Sequence, residues 1–157
     1  MEKYLVPLSV VLSAVSLFAI AAWYVIPASD KYPRNRALVP FLLPHTFRFL
    51  GLWFLVPGVT APTIDPGFTQ PAAWGDLVAA GLAWLAILAL RGQWSGAPAL
   101  VWLFSVVGVL DLLDAMYQGN LRLTSPGELG ATFLIPAVFV PLLLVSHVLI
   151  VRRMLRG

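Results

Sequence analysis

The sequence predicts an all-α fold: a polytopic integral membrane protein built as a bundle of five transmembrane helices. Hydrophobic residues make up 60% of the 157-residue chain and charged residues only 11%, whereas soluble domains average about 45–50% and about 25%. Apolar runs of about 20 residues, long enough to cross a bilayer, recur five times along a chain with a mean hydropathy of +0.88. The basic residues also gather on one side of a five-span arrangement.

The first two spans are separated by a polar loop that carries Lys31, Arg34 and Arg36. The first is continuously apolar, and Ser9, Ser13 and Ser16 share one face, as is typical of closely packed membrane helices. The second ends near Pro57 and Gly58.

A loop rich in Pro, Gly and Thr precedes the third span, and a short turn at 91–97 precedes the fourth. The fifth follows Ser125 and Pro126, a pattern typical of a helix start with proline at the first position. The chain is predicted to be one membrane domain, residues 1–157. The predicted spans cover residues 4–26, 39–59, 72–90, 98–117 and 131–151.

The distribution of Lys and Arg predicts the orientation of the bundle. With five spans, one side carries Lys31, Arg34, Arg36, Arg91, Arg152, Arg153 and Arg156. The other side carries only Lys3 and Arg122, and Arg48 lies within a span. Because cytoplasmic loops hold the excess of Lys and Arg, we expect the N-terminus outside and the C-terminus in the cytoplasm. A multi-pass protein of a bacterial inner membrane is the localisation that follows.

Charged residues inside the spans predict a polar core. A central aspartate costs about 2.5–3.5 kcal/mol to insert, and such residues are retained where they pair or function. Arg48 is expected near the mid-plane, facing Asp111 or Asp114 on the fourth span, while Asp76 is expected near the outer end of the third. Because Arg48 neutralises only one of Asp111 and Asp114, the other must bind a proton or a cation, pair with a histidinium, or face a water pocket open to the outside. We expect Asp111 to pair with Arg48 and Asp114 to be the exchangeable group.

The candidate site is completed by residues that share these helix faces. His45 lies three residues before Arg48, and His147 is expected at similar depth on the fifth span. The predicted ligand-binding or polar-core residues are His45, Arg48, Asp76, Asp111, Asp114, Tyr117, Gln118 and His147.

Each feature also has a structural interpretation. The Arg–Asp pair can serve only to fix helix register, Asp76 can sit at the wet interface, and the histidines can be packed core residues. Two histidines on two helices at one depth are also typical of bis-histidine haem ligation, because neutral imidazole is a common metal ligand. No haem-specific feature accompanies them, so we expect no cofactor and no metal.

Three functions remain open from the sequence. The first is binding or transport of a small or lipophilic molecule coupled to a proton. The second is a membrane enzyme acting on a lipid or isoprenoid, with a protonated aspartate as general acid and His45 as base. The third is an accessory subunit of a larger membrane complex. Expected partners are the lipid bilayer, a lipophilic ligand and a homo-oligomer or larger complex, with no nucleic acid. The chain has no cysteine, and it shows no nucleotide-binding, metalloprotease or nucleophile-elbow motif.

Overall fold

A computed structural model describes residues 4–156, and all the regular structure in that range is helical. Five of the helices are long and apolar enough to cross a membrane. We label these α1 to α5 in chain order: Leu5–Ser29, Arg34–Leu55, Pro66–Arg91, Ala97–Arg122 and Ile135–Leu155. A short 3-10 helix, Pro126–Phe133, precedes α5. Lys3, which the charge count assigns to the outer side, lies outside the described residues.

Local sequence explains where these helices begin and where they depart from α geometry. Asp65 caps α3, accepting a hydrogen bond from the Gly67 N–H at 2.7 Å, and Pro66 follows at the first helical position, where proline has no hydrogen bond to lose. Pro40 and Pro44 lie inside α2, and the last part of that helix, Phe47–Leu55, is a 3-10 helix. A π-helical turn, Ile135–Phe139, contains Pro136 and opens α5.

Two apolar clusters fill the two halves of the bundle. One includes Leu42, Phe104 and Leu149, and the other includes Phe54, Leu112 and Leu143. The polar residues of α2, α4 and α5 lie along the chain between members of these two clusters. A layer of polar residues therefore lies between two apolar layers of the bundle.

Contacts at the two ends of the bundle fix which loops lie together. At one end, Arg152 donates two hydrogen bonds to the Asp30 carboxylate, at 2.8 and 2.7 Å. At the other end, the Ala61 N–H donates to the Glu128 carbonyl at 2.9 Å, joining the α2–α3 loop to the 3-10 helix. The loop after α1 and the end of α5 thus share one end of the bundle, as a five-helix up-and-down arrangement requires.

Helix α1 is the peripheral element. It packs against α5, yet none of the residues Leu5–Ile20 is buried. Its start contacts the Phe54 cluster and its end contacts the Leu42 cluster. An apolar helix with so little protein cover exposes most of its hydrophobic surface.

Candidate functional site

Arg48 is positioned by the 3-10 segment of α2. In a 3-10 helix, residues three apart lie above one another, and the buried residues of this segment are Arg48, Gly51 and Phe54. The side chain of Arg48 has no exposed surface. The change from α to 3-10 geometry therefore directs an arginine into the centre of the bundle.

The Arg48 guanidinium donates three hydrogen bonds, and the acceptors lie on two other helices. Nε donates to Oδ1 of Asp76 on α3 at 2.7 Å. Nη1 donates to the Gly108 carbonyl on α4 at 3.1 Å, and Nη2 donates to Oδ2 of Asp111 on α4. The side chains of Asp76 and Asp111 keep 13% and 17% of their surface exposed. We call Arg48, Asp76 and Asp111 the carboxylate site.

Two glycines leave the space that the carboxylates occupy. A Cβ atom on Gly51 would lie 2.8 Å from Cβ of Asp76, and one on Gly75 would lie 2.8 Å from Cγ of Asp111. Real Cβ atoms do not approach other carbons so closely, so any larger residue would displace the carboxylates. Close approach of helices through small residues is a general feature of membrane bundles.

The carboxylate site has unequal charges. One guanidinium faces two carboxylates, so the ionised site carries a net charge of −1. A lone uncompensated charge is costly in a medium of low dielectric constant. The partly exposed carboxylates are therefore the place at which a proton or a cation would restore balance.

The structure confirms the predicted contact between Arg48 and Asp111 and corrects the identity of the second carboxylate. Asp76 contacts Arg48 directly, so it does not sit at a wet helix end. Asp114 is exposed, and its Oδ1 accepts a hydrogen bond from Gln118 at 3.4 Å. Tyr117 is 61% exposed. Asp114, Tyr117 and Gln118 thus lie outside the carboxylate site.

Gln118 belongs instead to a surface chain of polar contacts. Its Oε1 accepts a hydrogen bond from Nε of Arg122 at 2.9 Å, and Nη1 of Arg122 donates to Asp65 at 3.0 Å. The hydrogen bond from the Gly67 N–H, followed by that from Arg122, lowers the pKa of Asp65. These polar contacts connect the end of α4 to the start of α3.

His45 and His147 come together beside Arg48, as their predicted depths required. Their ring centroids are 4.3 Å apart, and the Phe104 ring contacts both. Both histidines are buried, and none of their four ring nitrogens has a hydrogen-bond partner among the described residues. We call His45 and His147 the imidazole pair.

The imidazole pair does not fit a haem. Axial ligands lie on opposite faces of a porphyrin, whereas these two rings are in direct contact. Across residues 4–156, no group of three or more His, Cys, Asp or Glu side chains is arranged to hold a metal ion. The chemistry that the pair can offer is therefore hydrogen bonding and proton binding by imidazole.

Among the surface cavities of the described residues are two that are not lined by Arg48, Asp76 or Asp111. The larger, of about 540 Å³, is bordered by α1, α4 and α5 and has polar side chains only at one end. We call it the α4 groove; its lining includes Val10, Ala115, Gly119, Asn120 and Pro136. The smaller, of about 300 Å³, is apolar and lies between α2 and α5.

Several residues that pack against the carboxylate site or the imidazole pair were not predicted from the sequence. Phe104 and Ser105 were not singled out, and neither were the glycines at 51 and 75. The spacing of His45, Arg48 and Gly51 at intervals of three was a signal for one continuous face.

Residues 5–155 match the model of a family described as a domain of unknown function, DUF8737. No curated protein and no solved structure matches the chain.

Proposed function

The chain belongs to the DUF8737 family, and we propose that it is an integral membrane protein in which proton binding at the carboxylate site is coupled to binding or transport of a lipophilic molecule. The observation that carries this proposal is the unequal charge around Arg48. A fully buried guanidinium contacts two carboxylates from different helices, and both carboxylates retain some exposure. Ionisable groups buried in membrane helices are functional candidates by default.

Membrane insertion is supported by the five apolar helices and by their outer surfaces. Helix α1 places large apolar side chains outward, among them Leu12 at 59% and Val15 at 64% exposure. In water this surface would be costly, because burial of apolar area is worth about 25 cal/mol per Å². The end that holds Asp30 and Arg152 carries most of the basic residues, so we assign it to the cytoplasm. A bacterial inner membrane is the setting that this orientation fits.

Proton binding is favoured over cation binding by the position of Arg48. A metal cation beside the carboxylates would be repelled by the guanidinium, whereas a proton neutralises one carboxylate and leaves the other paired. The two aspartates are then a coupled pair, whose proton belongs to the site and not to one residue.

The lipophilic molecule is placed in the α4 groove. The volume of the α4 groove, about 540 Å³, falls within the roughly 300–1,000 Å³ that is usual for small-molecule sites. Helix α4 carries Asp111 at the carboxylate site and Ala115 and Gly119 in the groove lining. These residues are four apart and therefore lie along one side of the helix, so a shift of α4 on protonation of Asp111 would also move the lining of the groove.

A structural subunit is the second candidate. Its supporting observation is that Arg48 is closed off from solvent and makes three hydrogen bonds, as a pair that only fixes helix register would. The enzyme hypothesis has less support, because His45, the residue it would use as base, is fully buried. A general base needs hydrogen-bond reach to its substrate.

Because the chain has no cysteine, a single introduced thiol gives a site-specific probe of the groove. Met116, which lines the groove, would be changed to Cys and labelled with a solvatochromic dye in liposomes. We expect a long-chain prenyl alcohol to shift the emission with an apparent affinity that changes with pH.

The variant Asp111→Asn should remove that pH dependence. The matched control is Asp114→Asn, one turn away on the same helix and outside the carboxylate site, and it should retain the pH dependence. Binding that is independent of pH, or that loses its pH dependence in Asp114→Asn, would contradict the proposed coupling. Absence of any binding in the groove would favour the structural subunit.

A further inference from the structure

The segment after α1 and the end of α5 together carry six cationic side chains and only one carboxylate, that of Asp30. The cationic residues are Lys31, Arg34, Arg36, Arg152, Arg153 and Arg156. We call these six residues the basic cluster. Six positive charges and the single negative charge of Asp30 leave a net side-chain charge of +5 on these two segments.

Contacts between the two segments bring the basic cluster together at one end of the bundle. Arg152 donates to both carboxylate oxygens of Asp30, and Nη1 of Arg156 lies 3.9 Å from Oδ2 of the same carboxylate. Arg153 donates a hydrogen bond to the Tyr32 carbonyl. Because the remaining members lie within four residues of Tyr32 in the sequence, the six charges share one surface.

Asp30 compensates only part of this charge. The hydrogen bond from Arg152 lowers the pKa of Asp30, and the ionised carboxylate is already shared between Arg152 and Arg156. The other four members of the basic cluster have no carboxylate partner among the described residues, and the first turn of α2 contains no acidic residue. Like charges gathered in this way repel each other and attract anions from outside the chain.

The surroundings of the basic cluster favour an anion that belongs to a lipid. Tyr32 and Leu155, which lie among the basic residues in the sequence, have exposed side chains, and so do Trp23 and Tyr24 near the end of α1. Trp and Tyr concentrate at the level of the lipid headgroups. A soluble polyanion would leave these apolar side chains uncovered, whereas a phospholipid covers them with its acyl chains.

We propose that the basic cluster binds the phosphate groups of anionic phospholipids whose acyl chains lie against α1. Arginine is well suited to this ligand, because its planar fork of donors matches two phosphate oxygens. Clusters of about 4–8 Lys and Arg beside a membrane helix are typical of sites for anionic lipids. The proposal rests on membrane insertion of the five helices and not on proton binding at the carboxylate site.

Electron spin resonance of spin-labelled lipids measures the proposed binding. The full-length protein would be reconstituted in phosphatidylcholine bilayers with a trace of spin-labelled phosphatidylglycerol or spin-labelled phosphatidylcholine. The motionally restricted fraction of each label gives its association with the protein. At low salt we expect phosphatidylglycerol to associate about fivefold more strongly. This preference should decrease at high salt, because exposed charges are then screened.

Two sets of variants locate the preference. Arg36→Gln should lower it, whereas Arg122→Gln, which removes one arginine from the opposite end of the bundle, should leave it unchanged. Arg34→Gln combined with Arg36→Gln should lower it by about half or more. Arg34→Lys combined with Arg36→Lys retains the charge and should keep most of the preference.

Equal association of the two lipids with the wild type would overturn the proposal even if a variant fails to fold. A preference that is unchanged in the double Gln variant, or that falls equally in Arg122→Gln, would overturn its assignment to the basic cluster. Loss of the preference in sodium phosphate, but not in sodium chloride of equal ionic strength, would indicate a site for free phosphate and overturn the lipid.

The same spectra separate this proposal from the proposed function. Absence of a restricted signal for both lipids would overturn membrane insertion and this proposal with it. A restricted signal without a preference for phosphatidylglycerol would overturn this proposal alone. Failure of proton binding at the carboxylate site would leave the lipid preference as it is, because Asp76 and Asp111 lie away from the basic cluster, in the polar layer of the bundle.

Discussion

Replacement of Arg48 by Ala tests the centre of the bundle most severely. The variant removes three hydrogen bonds and leaves the Gly108 carbonyl and two carboxylates without their shared donor. Removing one partner of a buried ion pair costs about 3–5 kcal/mol. Because total stabilities are about 5–15 kcal/mol, we expect the free energy of unfolding to fall by about a fifth or more.

The size of the loss in unfolding free energy depends on the charges that remain at the carboxylate site. Arg48→Ala leaves a net charge of −2 at the carboxylate site, so replacing both aspartates should recover part of the loss. Arg48→Met combined with Asp76→Asn and Asp111→Asn should therefore be more stable than Arg48→Ala, because neutral replacement of a buried ionic group is often tolerated. Arg48→Lys should lie between the wild type and Arg48→Ala, because an ammonium group cannot reproduce the planar fork of donors.

Reversible unfolding in mixed micelles of a mild detergent and SDS, followed by circular dichroism, measures these differences. The control is Arg122→Ala, which removes an arginine from α4 whose ion pair with Asp65 lies on the surface, and it should behave like the wild type. If Arg48→Ala and Arg122→Ala unfold alike, the hydrogen bonds around Arg48 do not stabilise the fold and the reasoning fails.

Gly75→Ala should destabilise the protein by about 1–3 kcal/mol, as overpacking does, because its methyl group would collide with Asp111. Gly81→Ala on the same helix should be neutral or stabilising. Equal effects of the two variants in the same unfolding assay would refute the steric argument. The hydrogen bond from the Thr124 N–H, and then that from its hydroxyl, lowers the pKa of Glu128. Its contribution to stability is present above the ordinary glutamate pKa and is lost as the pH falls through the lowered value, so acid unfolding should be less steep in Glu128→Gln; superimposable curves would count against it. Reporter fusions should place the N-terminus outside and the C-terminus in the cytoplasm, and a cytoplasmic N-terminus would overturn the assigned orientation.

The part of the site that could be predicted from the sequence rests on composition and helical spacing. The five apolar runs predicted five long helices, and contact of Arg48 with Asp111 or Asp114 was predicted because these carboxylates lie nearest to it in depth. His45 and His147 were also expected at one level. These inferences depend only on the rise per residue and on the cost of burying charge.

The prediction that Asp76 lies near a helix end was wrong because its helix begins earlier in the sequence than expected. The Pro/Gly/Thr loop was expected to run to residue 71, but α3 begins at Pro66, capped by Asp65. Ten residues of helix before Asp76 correspond to about 15 Å, which moves it from the helix end to the level of Arg48. An Asp–Pro pair is a recognised helix start, and it was the signal available.

The prediction that Asp114 faces the polar core was wrong because residues three apart on a helix, such as Asp111 and Asp114, need not have the same surroundings. Residues three apart on an α-helix still differ by about 60° in direction. That rotation directs Asp111 toward Arg48 and leaves Asp114 on the exposed face. The change to 3-10 geometry at Phe47 also could not be read from the apolar pattern, although Pro44 precedes it.

The central claim is that the carboxylate site binds and releases a proton. Infrared difference spectra of the reconstituted protein against pH measure it directly, through the carbonyl stretch of a protonated carboxyl group. We expect a titrating band that is lost or shifted in both Asp76→Asn and Asp111→Asn and is unchanged in Asp114→Asn. Absence of any such band in the wild type, or its loss in Asp114→Asn alone, would contradict the claim.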